Sequence, residues 1–249
     1  MSIAVQAVVA AIAGGRIVYL VQPVKAIESP HLELYRECLA RMIDRGGRAR
    51  GPLCFVPQLE ASGDINLLDE HMIKLALEDL ERSGGVALGC NISAETVQNP
   101  TVWRRICNGI SHRPDLAHRL VIEITETRPI LRLQSLIEHI AEVRALGCRV
   151  AIDDFGAGFI SPALLLKLNI DIVKIDASIL RTSRCRGNGM SSLLNIVRFA
   201  MCSAPVVVVE GVEQDEDLEL SEAAGATHVQ GYLVGMPIPR STALAQSEF

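Results

Sequence analysis

The chain repeats one pattern along its length: a short apolar, β-prone run that finishes on a carboxylate, an amide or an ammonium. In order these are Glu37 in Arg-Glu-Cys-Leu, Asn91 in Cys-Asn-Ile-Ser, Glu123 in Val-Ile-Glu-Ile-Thr-Glu and Asp153-Asp154 in Val-Ala-Ile-Asp-Asp-Phe-Gly. Lys174 in Ile-Val-Lys-Ile-Asp, Glu210 in Val-Val-Val-Glu-Gly-Val-Glu and Gln230 in His-Val-Gln-Gly-Tyr follow. One acidic strand end is as readily a solvated terminus as a ligand. Several brought into one cleft would repel each other strongly, and a divalent cation is the natural compensation. The donors are carboxylates plus one amide, an all-oxygen set that favours Mg²⁺, Mn²⁺ or Ca²⁺ over zinc or copper. The six histidines, at 31, 71, 112, 118, 139 and 228, share no ligand spacing and read as surface or structural groups, with His228 nearest the mouth.

Two of these positions carry more specific chemistry. At a strand end, where the chain turns, adjacent Asp153 and Asp154 can both reach one cluster, one bridging two ions while the other holds the second. A pair of ions about 3.5–4 Å apart activates a water and stabilises the leaving oxygen of a phosphate ester. The alternative is that Asp154 caps the following Phe-Gly-Ala-Gly turn. Lys174 near such a cluster can hold a water or stabilise developing charge; equally, it can form a structural ion pair with Asp176.

The elements that must position these groups alternate along the chain. The pattern predicts strands over 16–21, 32–39, 86–91, 119–125, 149–153, 172–175, 206–210 and 227–230. It predicts helices over 66–82, 100–111, 130–146, 162–168, 191–203 and 215–224, with Gly147 and Gly225 as stops. Eight strands with intervening helices in 249 residues suit a closed α/β barrel, whose C-terminal strand ends share one mouth. The first two strands are too close in sequence for a parallel crossover and should run antiparallel. The stretches 44–52 and 182–189 read as loops, and 1–249 as a single domain.

Composition agrees. Apolar residues make up 49% and charged residues 21%, an ordinary globular balance, and the net charge of -5 argues against a long nucleic acid. Seven cysteines without a CxxC pair read as reduced core or near-core thiols, Cys148 and Cys202 among them, in a cytoplasmic setting. The apolar run from Ile3 to Ala13 is too short to span a bilayer and reads as a helix ending at Gly14-Gly15, so no membrane contact is expected.

Taken in order, these segments resemble the EAL-domain phosphodiesterases of bacterial cyclic di-GMP signalling. Glu37-Cys38-Leu39-x-Arg41 looks like the motif that names the family, with Cys in place of Ala. Phe55-Val56-Pro57-x-x-Glu60, Asn91-Ile92-Ser93, Glu123-Ile124-Thr125-Glu126, Asp153-Asp154-Phe155-Gly156, Lys174-Ile175-Asp176, Glu210-Gly211-Val212-Glu213 and Gln230-Gly231-Tyr232 follow in family order. The resemblance implies a TIM-like (β/α)8 barrel with an antiparallel first strand, hydrolysing cyclic di-GMP to linear pGpG with Mg²⁺ or Mn²⁺. By the same resemblance Glu37, Asn91, Glu123 and Asp153 hold one ion, and Asp153, Asp154 and Glu210 a second. Glu210 is also a candidate general base, Lys174 positions the attacking water, and Gln22, Leu39, Arg41 and Gln230 contact the dinucleotide. The resemblance also implies that Glu126, Asp176 and Glu213 brace the site and that the protein forms a homodimer. The chain departs from the family's usual pattern in the turn after the aspartates, where Ala157, Ile160 and Pro162 replace Thr or Ser, Ser or Thr, and Leu. The turn thereby loses hydroxyl hydrogen bonds worth about 1 kcal/mol each. The competing reading is an idle barrel that binds cyclic di-GMP or another protein; the complete acidic set favours the enzyme.

Overall fold

The computed structural model describes residues 3–125, 129–185 and 189–240. Its sheet comprises β1 (Ile17–Ala26), β2 (Glu33–Ile43), β3 (Ala49–Arg50), β4 (Leu88–Ser93) and β5 (Leu120–Thr125). It continues through β6 (Arg149–Phe155), β7 (Ile172–Ile175), β8 (Val206–Glu210), β9 (His228–Gln230) and β10 (Ile238–Pro239). The order β1-β9-β8-β7-β6-β5-β4-β2 closes on itself through the β1–β2 pairing, giving an eight-stranded barrel with β3 and β10 as short additions at its rim. Pairings from β2 through β4 to β9 are parallel, whereas β1 is antiparallel to both of its barrel neighbours. The short 27–32 connection dictates this, since a parallel return would need a crossover.

The outer layer is helical. The helix Ile65–Arg82 is typical: Ile65, Leu68, Met72, Ile73, Ala76, Leu77 and Leu80 recur at three- and four-residue steps and are all buried. The N-terminal helix Ile3–Ala13 buries Val5, Val8 and Ala11 and stops at Gly14-Gly15, where Gly15 adopts φ 62°. Among the described residues no helix is long and apolar enough to cross a membrane.

Several boundaries differ from the sequence reading. β2 runs on to Ile43, so Glu37 lies in mid-strand and not at a strand end. The expected loop at 44–52 contains β3, folded back on β2, with the Asp44 carboxylate accepting from the Gly46 and Arg48 amides. The expected loop at 182–189 falls partly on the helix Ala177–Cys185. The helix Val56–Ser62 was not anticipated. Of the cysteines, Cys38, Cys90, Cys107 and Cys148 are buried, but Cys54 and Cys202 are exposed; Cys202 follows the last turn of the helix Gly189–Ala200 instead of entering the core.

The barrel interior is layered. Val24, Tyr35, Val121, Ala151, Ile172 and Val208 form their own apolar cluster inside the ring. Each lies two residues from one of the polar residues singled out above: Gln22, Glu37, Glu123, Asp153, Lys174 and Glu210. Because side chains alternate along a strand, the two sets share the inward face, one directly below the other. With Asn91 on β4 and Gln230 on β9, every strand of the ring supplies one polar residue to the upper layer. The apolar layer is the floor that excludes water from beneath it.

Candidate metal centre

Lys174 stands at the middle of the polar layer, with 0% of its side chain exposed. Its Nζ lies 2.8 Å from Glu123 Oε2, 2.8 Å from Asp153 Oδ1, 2.9 Å from Glu210 Oε1 and 3.1 Å from Glu37 Oε2. The expected alternative, a pair with Asp176, is not formed: the Asp176 carboxylate accepts from the Ser178 amide and hydroxyl at the start of the next helix. Glu37 is further held by the Asn91 and Gln230 side-chain amides, at 2.7 and 2.6 Å. Tyr35 donates to Glu123 Oε2 at 3.2 Å.

The electrostatics follow from burial and charge surplus. Burial alone drives Lys174 toward the neutral amine, but Asp153, Glu123, Glu210 and Glu37 reverse it and hold the ammonium well above its ordinary range. Burial opposes the Glu37 carboxylate too; Lys174 and the two amides outweigh it and bring Glu37 below its ordinary value. The remaining acids find too little compensation. Burial pushes Glu123 up to about 8, Asp154 up to about 6, and raises Asp153 and Glu210 as well, despite Lys174.

The donor set fits a divalent cation. Glu37, Glu123 and Asp153 each present an oxygen within 4.8 Å of the others, as do Asp153, Asp154 and Glu210, so Asp153 is common to both groups. Asn91 Oδ1 and Glu123 Oε1 are buried without a hydrogen-bond partner among the described residues, and buried oxygens of that kind call for a partner. Four carboxylates facing one ammonium leave negative charge for a cation to neutralise. Asp154 joins the cluster through a backbone irregularity. Strict alternation would send it away from Asp153, but its φ of 52° and the break in the β6–β7 register turn the chain at that point. The turn after it is closed by the Ala157 amide on the Asp154 carbonyl. Ile160 is 5% exposed and anchors this turn in the core, while the Ser161 hydroxyl accepts from the Leu164 amide and Pro162 begins the helix Pro162–Leu165.

Above the cluster a cleft of about 370 Å³ is lined by Gln22, Glu37, Leu39, Asp153, Asp154, Glu210, Glu213, Gln230 and Tyr232. A second cavity of about 270 Å³, walled by Pro52, Val56, Leu68 and Met72 with Glu60 and Asp69, shares Leu39, Asp153 and Asp154 with it. Gly231 keeps the exit of β9 narrow, since a Cβ there would lie 2.1 Å from the Val212 carbonyl oxygen. Arg41 lines neither cavity; its guanidinium turns back to the carbonyls of Leu39 and Ala40. Glu126 lies outside the described residues. His228 sits two residues below Gln230, toward the base of the barrel, with its ring nitrogen on Thr227 Oγ1; it is not at the mouth.

Two residues at the cluster escaped the sequence reading. Tyr35 is on the inward face by its two-residue offset from Glu37, a signal the alternation contains. Gly89 offers none: only the structure shows that a Cβ there would meet Tyr35 and Glu123.

The EAL domain family profile matches residues 5–237. The chain belongs to the EAL domain family. It is 27% identical over 233 residues to the cyclic di-GMP phosphodiesterase PdeF of Escherichia coli (strain K12), covering 92% of this chain and 31% of PdeF. It is 28% identical over 230 residues to the probable cyclic di-GMP phosphodiesterase PdeA of the same organism, covering 90% of this chain and 31% of PdeA. The chain thus spans about a third of the length of these relatives. Among solved structures, an EAL domain protein from Listeria monocytogenes EGD-e superposes with a TM-score of 0.85 at 24% identity, covering 100% of this chain and 99% of that one. The PaMucR phosphodiesterase in complex with c-di-GMP superposes with a TM-score of 0.83 at 22% identity, covering 97% and 99%. These EAL barrels establish the TIM-like fold.

Proposed function

We propose that this EAL domain is a metal-dependent phosphodiesterase that hydrolyses cyclic di-GMP to linear pGpG. The observation that carries the reading is the pair of oxygen clusters sharing Asp153. Glu37, Asn91, Glu123 and Asp153 would hold one Mg²⁺ or Mn²⁺ ion, and Asp153, Asp154 and Glu210 a second. Such ions lower the pKa of a bound water and neutralise charge on the phosphate oxygens. Lys174 holds the carboxylates in register and presents an ammonium to developing negative charge. Glu210 has the most exposed side chain of the four acids around Lys174 and stands at the edge of the cluster, which makes it the candidate general base. Gln22 and Gln230 orient the ligand from the cleft wall, and Leu39 stands between the two cavities, where a two-base ligand would straddle the acids. Relatives named as cyclic di-GMP phosphodiesterases support the substrate.

The test is incubation of the purified protein with cyclic di-GMP and Mg²⁺ or Mn²⁺, with pGpG read by chromatography. Turnover is expected, its loss in excess chelator is expected, and Glu37→Ala is expected to abolish it while the barrel stays folded. Tight binding of cyclic di-GMP without turnover would establish the receptor reading instead; turnover that persists in chelator would overturn the metal chemistry.

A further inference from the structure

Glu123 is the most enclosed of the acids around Lys174, with 0% of its side chain exposed. Its orientation is set from two sides. Lys174 Nζ approaches Oε2 at 2.8 Å, and the Tyr35 hydroxyl approaches the same oxygen at 3.2 Å. Both contacts converge on Oε2, and Oε1 is left buried with no hydrogen-bond partner among the described residues.

Tyr35 can reach Glu123 because residue 89 has no side chain. Tyr35 rises from β2 inside the barrel and is 1% exposed. A Cβ on Gly89 would stand 2.5 Å from Tyr35 Cε2, 2.8 Å from Tyr35 Cδ2 and 2.1 Å from Glu123 Oε1. No flexible surface group is involved that could move aside: ring and carboxylate are both enclosed, so any side chain at 89 would displace one of them. Gly89 and Tyr35 are therefore complementary parts of one device on adjacent strands, Gly89 lying directly opposite Glu37 in the β2–β4 register.

We infer that Tyr35 is a positioning residue for the metal centre: its hydroxyl locks Glu123 through Oε2 and so reserves Oε1 for a divalent cation. Partners that fix a ligand's orientation are commonly worth 10–100-fold in metal affinity. The inference rests on the metal-binding reading of the cluster, and the experiment separates the two. Mn²⁺ binding to the purified protein is measured by electron paramagnetic resonance of the free ion, with far-UV circular dichroism to confirm folding. Tyr35→Phe keeps the ring and removes the hydroxyl alone, and is expected to bind Mn²⁺ about 10–100-fold more weakly than the parent. Val24→Ala opens the same apolar layer without touching any acid; it is expected to lower Tm and leave Mn²⁺ affinity unchanged. Gly89→Ala crowds Oε1 directly and is expected to weaken Mn²⁺ binding as well; parent-like affinity in Gly89→Ala would overturn the assignment of Oε1 to the cation, and with it the positioning role, even should Tyr35→Phe not fold. Parent-like affinity in Tyr35→Phe, or an equal loss in Val24→Ala, overturns the positioning role while leaving the metal reading intact. A parent protein that binds no Mn²⁺ overturns the metal reading and this inference with it.

Discussion

Replacing Lys174 with methionine removes the ammonium on which four carboxylates converge at 2.8–3.1 Å, in a place with no solvent to take its role. Methionine fills much of the same volume, so packing loss is small and the change is electrostatic. Breaking a buried ion pair by deleting one partner costs about 3–5 kcal/mol. In a domain of this size each kcal/mol moves Tm by about 2–4 °C, so Lys174→Met should lower Tm in chelator by about 6–20 °C. Divalent metal should then act unequally on the two proteins. An ion at 100 times its Kd stabilises the parent by about 2.7 kcal/mol through mass action. In the variant the ion also neutralises acids that have lost their ammonium, so the Mn²⁺-induced rise in Tm should be larger. The assay is thermal unfolding by circular dichroism, parent and variant, in EDTA and in saturating Mn²⁺. A variant whose Tm in EDTA stays within about 2 °C of the parent refutes the claim that Lys174 compensates the cluster.

Because Glu123 and Asp154 titrate near 8 and 6 in the folded barrel, above their unfolded values, the metal-free native state binds more protons than the unfolded chain between about pH 4.5 and 8. Stability in EDTA should therefore fall as pH rises through that window, and Mn²⁺, which binds the deprotonated acids, should flatten the slope; urea titrations at pH 5, 6.5 and 8 read both. Asp69 accepts from the Ser93 amide at 2.9 Å and the Thr96 hydroxyl at 2.6 Å, two residues beyond Asn91. Asp69→Ala should cost about 1–3 kcal/mol for each buried donor left unpaired, seen as a lower urea midpoint. Ile160→Ser should cost about 1.5–3 kcal/mol of lost burial despite restoring a hydroxyl, because the turn is anchored by packing; a neutral effect would contradict that anchor.

The acidic cluster was legible in the sequence because its residues end or interrupt apolar runs, and a closed barrel brings such positions to one mouth. Glu37, Asn91, Glu123, Asp153, Lys174 and Glu210 meet as the alternation requires. The antiparallel first strand followed from a connection too short to cross over. The pairing of Lys174 with four acids was not legible, because the distances between strands arise from barrel stagger and not from sequence spacing; Asp176, two residues on, looked equally close. The anchor of the altered turn was not legible either: the absence of hydroxyls at Ala157 and Ile160 is visible in the sequence, but burial of Ile160 is a property of the fold. Arg41 shows the converse, a motif position whose side chain turns back on its own strand. Tyr35 was present in the inward parity of β2 and overlooked because an apolar ring beneath a polar layer looks like ordinary packing.

Whether these acids gather to hold divalent cations is decided by crystals grown with Mn²⁺ and read by anomalous scattering. Two anomalous peaks are expected flanking Asp153, one among Glu37, Asn91 and Glu123, the other between Asp154 and Glu210. An empty cluster at saturating Mn²⁺, with the four carboxylates still closed on Lys174, would contradict the metal reading.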